Sequence, residues 1–334
     1  MRKAAIIFFC LGIVAVVHAS TIQSKLIKAR GMLDKKDYNA ARQLFENVLY
    51  EEPNNFDAVL GLAQTYQEMR HYDKAIPHYT NAIALKPTSP KLREVYNNLG
   101  VCYNNVGDIE HAIITLEAGV KKYPTFGKMY YNLGNAYFKV KNWTEALDNY
   151  TTALTYTTIP DDQAYIYNSI GNTYSMQRDA EAGINAYQNA VKLKPDYWKA
   201  YFNLGLTYSY REQYYDAASV YRKVTEIKPD YPDAYYNLGR ALSILKKWDE
   251  MIVAYEKAIA LRPTYYEAMY NLACYYAVIP NDNGQPQYTR ALEWLQKAIR
   301  QEPDVKTYAQ EEDYFLKLRA DAQAGPKFEA LIHQ

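Results

Sequence analysis

Apolar positions recur along residues 198–229, WKAYFNLGLTYSYREQYYDAASVYRKVTEIKP, at the spacing of a helix rather than a strand. Tyr201, Leu204, Gly205 and Tyr208 fall at i, i+3, i+4 and i+7, so they share one stripe of a first helix. A polar break at Arg211 to Gln213 follows, and Ala217, Val220, Tyr221 and Val224 then mark a second amphipathic helix. Pro229 ends it, because proline has no N–H to donate and its ring clashes with the preceding turn. The pattern predicts a helical hairpin in which Gly205 faces Ala217, so that two small residues let the backbones approach. Tyr201, Tyr208 and Tyr221 are expected to fill the space around that contact. A single hairpin leaves an apolar face uncovered and must stack on a copy of itself.

The chain supplies the copies. Aligned on the Gly205 and Pro229 positions, eight hairpins begin near Ile22, Phe56, Arg93, Gly127, Ala164, Trp198, Pro232 and Tyr266. They close at Pro53, Pro87, Pro124, Pro160, Pro195, Pro229, Pro263 and Pro303, with a separation of 34 recurring and small additions before Pro124, Pro160 and Pro195. The small second-helix position is filled by Ala41, Ala75, Ala112, Ala146, Ala217 and Ala291, with Gly183 and Met251 as departures. Lys25 and Lys28 replace apolar residues in the first hairpin, as expected where a terminal copy meets water. Residues 279–288 lengthen the last hairpin with a segment rich in Pro, Asn and Gly, read as a longer turn or a partner-contacting loop. Beyond Pro303 the period is lost. Tyr314, Phe315, Leu318, Phe328, Leu331 and Ile332 predict capping helices over residues 304–334.

This period resembles the tetratricopeptide repeat family. The residues that carry the resemblance are YFNLG at 201–205, YYNLG at 235–239 and KAIALRP at 257–263. The resemblance spans roughly residues 22–303 and implies an all-α, right-handed α-solenoid, a superhelix of about eight helical hairpins over residues 20–303.

The amino terminus follows another rule. Arg2 and Lys3 precede an apolar run from Ala4 to Val17, and Val17-His18-Ala19 forms a small-residue boundary. Together they predict a secretory signal peptide over residues 1–19, cleaved after Ala19, and an exported, periplasmic or secreted protein. Membrane attachment is expected only if that segment is retained or is lipidated at Cys10. Losing Arg2 and Lys3 from 38 basic residues, against 37 acids, leaves about one net negative charge, so bulk charge steers neither nucleic acid nor anionic lipid. Cys102 and Cys274 lie in first helices five hairpins apart, too far for a disulfide, and are expected to be core thiols. Tyrosine is unusually frequent at 36 residues, and nearly half occupy the Tyr201, Tyr208 and Tyr221 positions, which assigns them to packing.

No constellation for catalysis, metal binding or phosphate binding is present. His71, His78, His111 and His333 are scattered, paired cysteines are absent, and no nucleophile elbow or dinucleotide glycine pattern occurs. The expectation is therefore no enzyme, no cofactor and no metal. What does repeat is an asparagine just before the Leu-Gly pair, at Asn98, Asn132, Asn203, Asn237 and Asn271, with Ser169 in the fifth hairpin. Asn135 and Asn172 follow one turn along the same face, and Arg240 occupies that place in the seventh hairpin. A primary amide offers a donor and an acceptor together, so such a row can pair with the backbone of an extended peptide whatever its side chains. The row is similar to the asparagine ladder in the repeat array of O-linked N-acetylglucosamine transferases, although Ile27 and Gly61 interrupt it and no transferase domain follows. The competing reading is that these asparagines bridge adjacent helices. The expected function is a non-catalytic scaffold that binds an extended peptide or partner helix in the groove lined by first helices. A self-assembling envelope protein or an accessory subunit of an envelope transport or assembly complex is the alternative, so homo-oligomerisation stays open.

Overall fold

A computed structural model describes residues 21–86 and 88–333. The expected leader, its cleavage boundary and Cys10 lie outside the described residues, as does Pro87. The described chain is helical throughout and divides into two compact units, one ending at Thr173 and the other starting at Tyr174.

The first unit runs through α1 (21–34), α2 (Tyr38–Glu51), α3 (Phe56–Glu68), α4 (Tyr72–Leu85), α5 (Leu92–Val106), α6 (Ile109–Lys122), α7 (Gly127–Lys139), α8 (Trp143–Tyr156) and most of α9 (Pro160–Met176). The second contains α10 (Ala180–Leu193), α11 (Trp198–Tyr210), α12 (Tyr214–Ile227), α13 (Pro232–Ile244), α14 (Trp248–Leu261), α15 (Tyr266–Val278) and α16 (Tyr288–Gln301). Within each unit, consecutive helices pack on one another, as in α7 with α8 and α13 with α14. Pro160 does not close α8, as its sequence position suggested. It opens α9, where a missing N–H costs nothing because the first turn has no intrahelical acceptor for it.

Local chemistry fixes where helices start and stop. Asp37, Asn55, Asp108 and Asp179 cap helix starts, each accepting a backbone N–H three residues on, at 3.0 to 3.2 Å. First helices end in a Schellman turn, in which the backbone N–H of residue 37, 71, 142, 213 or 247 donates to a carbonyl five residues back. The left-handed residue these turns require is Lys36, Arg70, Lys141, Glu212 or Lys246, where glycine would be unstrained.

In several hairpins the core is a ring laid on a backbone; in the third, Leu116 takes that place against Gly100. Tyr79, Tyr150, Tyr187, Tyr221 and Tyr255 are at most 2% exposed. A Cβ on Gly205 would lie 2.6 Å from Tyr221 Cε1, and one on Gly134 2.6 Å from Tyr150 Cε1. The close partner of Gly205 is thus the Tyr221 ring rather than Ala217, which is itself fully buried one turn away. Met251 sits in the small second-helix position and is also buried, so that joint closes around a flexible side chain. Tyr201 and Tyr208 are only half-buried, and the Tyr208 hydroxyl accepts from Gln188 Nε2 at 3.0 Å.

Ion pairs tie successive hairpins. Asp57 on α3 receives Arg30 and Lys91, both at 2.6 Å; burial pushes its carboxyl up, but these two cations hold it below the ordinary range. At the same repeat position, Asp233 takes a bidentate pair from Arg262 at 2.9 and 3.0 Å and the Tyr265 hydroxyl at 2.9 Å.

After α16 the chain forms α17 (Val305–Glu311), a 3-10 turn at Asp313–Phe315, α18 (Leu316–Ala320) and α19 (Gly325–His333), packed on α15 and α16. Phe315, Leu318, Phe328 and Ile332 are buried and Leu331 half-buried, but Tyr314 is 55% exposed and does not join them. The insertion is an ordered turn: Asn281 Oδ1 accepts from the backbone of Asn283 and Gln285, and Gln287 Nε2 donates to the Ile279 carbonyl at 3.0 Å.

Two outcomes follow from the buried rings. Gly205→Ala is expected to cost about 1 to 3 kcal/mol by displacing Tyr221, and Tyr221→Ala about 3 to 5 kcal/mol by leaving a cavity. The half-buried Tyr208→Ala should cost less than Tyr221→Ala; denaturant unfolding of the three variants checks the order. Burial also raises the phenol pKa of Tyr187 and Tyr221 to about 12, and those of Tyr79, Tyr150 and Tyr255 further. An unfolded tyrosine ionises near pH 10. Stability should therefore be flat with pH up to about 10 and fall above it, as the unfolded chain releases protons that the folded one retains. Denaturant midpoints between pH 8 and 11.5 test this.

Candidate functional site

The structure places the predicted polar row on first helices, where much of it bridges between hairpins. In the first unit, Asn132 Nδ2 on α7 donates to Asn97 Oδ1 at 2.7 Å, and Asn97 Nδ2 donates to Asn98 Oδ1 at 3.1 Å. Asn98 Nδ2 then reaches the Tyr79 hydroxyl on α4 of the preceding hairpin, at 3.4 Å. Asn135 Oδ1 accepts the Tyr150 hydroxyl at 2.8 Å, within its own hairpin. Ser169 contacts the Tyr131 hydroxyl at 3.4 Å.

In the second unit, Asn271 Nδ2 donates to the Tyr255 hydroxyl at 3.1 Å, again reaching back one hairpin. Asn237 differs, since its Nδ2 donates to the Asp233 carbonyl one turn earlier on its own helix, at 2.8 Å. Asn172 and Asn203 also have interaction partners. Arg240 is exposed, with its guanidinium 5.9 Å from the Tyr236 ring centre.

The gap in the row has the same cause as the row. Gly61, where the asparagine would stand, lies directly against the ring of Phe45 on the preceding second helix, so no side chain fits. Where that second-helix residue is Tyr79 or Tyr255, the facing position is Asn98 or Asn271 and completes a hydrogen bond to the phenol. Leu116 offers no hydroxyl, and the facing Asn132 bonds Asn97 instead. At Tyr79 and Tyr255 the asparagine thus answers the residue behind it, a nearly buried phenol that burial alone would penalise; Asn237, at the same repeat position after Tyr221, does not.

A second row was not singled out by sequence. Val106 and Val140 in the first unit are 46% and 50% exposed, and Met176, Tyr210, Ile244 and Val278 in the second are 46% to 69% exposed. Each stands at or next to the last residue of a first helix, beside the polar row's helices. Its signal was the recurrence of an apolar residue immediately before the turn, off the stripe that faces the core.

Two hollows adjoin these rows. The smaller, about 220 Å³, lies in the first unit between Lys128, Asn132, Thr157, Asp162 and Tyr165. The larger, about 440 Å³, lies in the second unit and is lined by Arg240, Ile244, Trp248, Asn271, Val278 and Tyr314 among others.

Among the described residues, no group of His, Cys, Asp and Glu could hold a metal ion, and no helix is long and apolar enough to cross a membrane. His78 stacks on Tyr66 at 5.7 Å, and burial lowers its pKa; His111 stacks on Tyr103 at 5.3 Å and pairs with Asp108. Both histidines are accounted for by packing. Cys102 and Cys274 are free and buried, and burial pushes both thiols up to about 12, away from nucleophilic use.

Against known proteins, family models described as tetratricopeptide repeat match residues 32–76, 60–125, 127–156, 232–265 and 254–293. A model described as TPR repeat matches residues 179–210 and 208–244. No curated protein matches the chain. Among solved structures, the C-terminal part of a TPR repeat-containing protein from Cytophaga hutchinsonii is 17% identical, with a TM-score of 0.60 over 73% of this chain and 98% of that one. A tetratricopeptide repeat protein from Parabacteroides merdae is 15% identical, with a TM-score of 0.56 over 75% and 96%. The pilF protein of Pseudomonas aeruginosa is 14% identical, with a TM-score of 0.55 over 64% and 94%. At these identities the likeness is one of fold. Family models tiling most of residues 32–293 and the ring-on-backbone hairpins lead to one conclusion: the chain belongs to the tetratricopeptide repeat family.

Proposed function

We propose that the chain is a non-catalytic scaffold that holds an extended segment of a partner protein along the ends of its first helices, outside the cytoplasm. The observation that carries this is a pair of rows within each unit: exposed apolar side chains at the first-helix ends and amides one to two turns earlier. Apolar anchors supply affinity by leaving water, and amides pair with a peptide backbone without reading its side chains. Asn132 and Asn271 bridge through their Nδ2 and retain their carbonyls for that purpose, whereas both polar atoms of Asn98 are engaged within the array. Export is supported by the basic start, the apolar run and the Val17-His18-Ala19 boundary.

A photo-crosslinking amino acid at position 176, 210 or 244 should therefore capture a discrete partner, whereas one at exposed Lys223 on α12 should not. Equal capture from both faces, or none from the first, would sink the reading. Asn237→Ala should weaken partner binding with melting nearly unchanged, since the bond it loses lies within one helix. Asn271→Ala should cost about 1 kcal/mol of stability as well, because it removes one of the two side chains that meet the Tyr255 hydroxyl. Amino-terminal sequencing of the exported protein should begin at Ser20, and a retained Met1 would overturn the export proposal.

A further inference from the structure

The larger hollow differs from the rest of the first-helix face in three ways. Its floor is apolar and already dry, formed by Met251 and Tyr255, each 1% exposed. Its rim is apolar and wet, with Ile244 51% and Val278 46% exposed beside Trp248 and Tyr275. One wall comes from outside the hairpins altogether: Tyr314, the residue that leaves the capping core, projects here at 55% exposure. At about 440 Å³ the hollow has room for a large side chain with part of its neighbour.

The charge of its lining is one-sided. Arg240 and Lys246 are the charged residues that line it; Glu312 acts on Cys274, and Asp249 and Asp282 on Tyr275, from outside the lining. Arg240 and Lys246 are exposed, and among the described residues no ion pair engages either cation. Several other basic side chains of the second unit do pair, among them Arg262 with Asp233, Arg222 with Glu250, and Lys223 with Glu226. A rigid guanidinium at the lip of a low-dielectric hollow favours a carboxylate more than it would on an open surface.

We infer that this cleft seats an apolar side chain of the partner segment next to an acidic side chain, the first on the Met251–Tyr255 floor and the second against Arg240 and Lys246. In an extended segment residues two apart lie on the same face at about 6 to 7 Å, so the motif is an apolar residue and an Asp or Glu two positions away. This rests on the scaffold reading above, and it adds the chemistry that would select one segment over another.

An array of synthetic 12-residue peptides with amidated C-termini, probed with residues 20–334, tests it. The expected result is enrichment of peptides with Leu, Phe or Met two positions from Asp or Glu. The Arg240→Glu, Lys246→Glu double variant, melting as wild type because both side chains are exposed, should bind the selected peptides at least tenfold more weakly. It should regain binding when the acidic residue of the peptide is changed to Lys, a rescue that a general structural effect could not give. Tyr314→Ala should weaken the same peptides without changing their charge preference. Peptides enriched without an acidic bias, or a bias that survives the charge reversal, would overturn the inference and leave the scaffold in place. So would binding that appears only with a free terminal carboxylate, or a wild-type dimer that Ile244→Glu dissociates, since the cleft would then hold a chain end or a second copy. An array that yields no bound peptide with either amidated or free C-termini would overturn the scaffold reading together with it.

Discussion

The contact on which several of the hairpins depend is a phenol ring packed against a stretch of backbone that has no side chain, as Tyr150, Tyr221 and Tyr255 are on Gly134, Gly205 and Gly239. It sets the distance between two helices, because the ring thickness replaces the Cβ and its substituents, and it removes a large apolar surface from water at the same time. A ring that buries its carbon face still carries a hydroxyl, and a buried hydroxyl without a partner costs on the order of 1 to 3 kcal/mol. Much of the polar chemistry of the first helices answers that cost. Ser175 and Ser209 meet Tyr187 and Tyr221, Asn135 meets Tyr150, and Asn98 and Asn271 meet Tyr79 and Tyr255. Packing and polarity are thus one pattern, written twice in the sequence at a fixed offset.

That coupling explains what the sequence revealed and what it hid. Helical spacing and the recurring glycine, alanine and proline were enough for the all-α hairpin fold, since each is a local constraint felt within one unit. The asparagine row was visible too, but its two readings differ only in which atom lies behind each amide. Sequence spacing could not decide this, because the atom belongs to the neighbouring hairpin. Pro160 misled for a related reason: a proline is equally at home just after a helix or at its first residue, and the extra residues before Pro195 concealed which applied. Tyr314 looked like one more capping aromatic beside Phe315, yet adjacent residues in a tight turn point apart, and only the second faces the core.

The site is a matter of leftovers in the same sense. Residues that the core does not consume, such as Ile244, Val278, Arg240 and Tyr314, come from three different elements, and only Ile244 and Val278 share a sequence signature. They become a feature only once α13, α15 and the segment after α16 are side by side. A scaffold of this kind can change its binding preference by altering a few such residues, because none of them carries the ring contact that holds the helices.

The direction in which each phenol finds its partner has a consequence for how arrays like this one grow and shrink. Tyr221 is satisfied by Ser209, twelve residues earlier on the helix just before it, while Asn237 of the next hairpin bonds its own helix, so that copy is chemically closed. Tyr79 and Tyr255 also receive a bond from the hairpin that comes next, through Asn98 and Asn271, and are to that extent open on their C-terminal side. Gene duplication or recombination that cuts behind a closed copy strands nothing. A cut behind an open one removes one of the phenol's hydrogen bonds and leaves it only the partner in its own hairpin, Gln67 for Tyr79 and Ser243 for Tyr255. The chain thus marks in its own hydrogen bonds the seams along which it can be shortened, extended or spliced to another array.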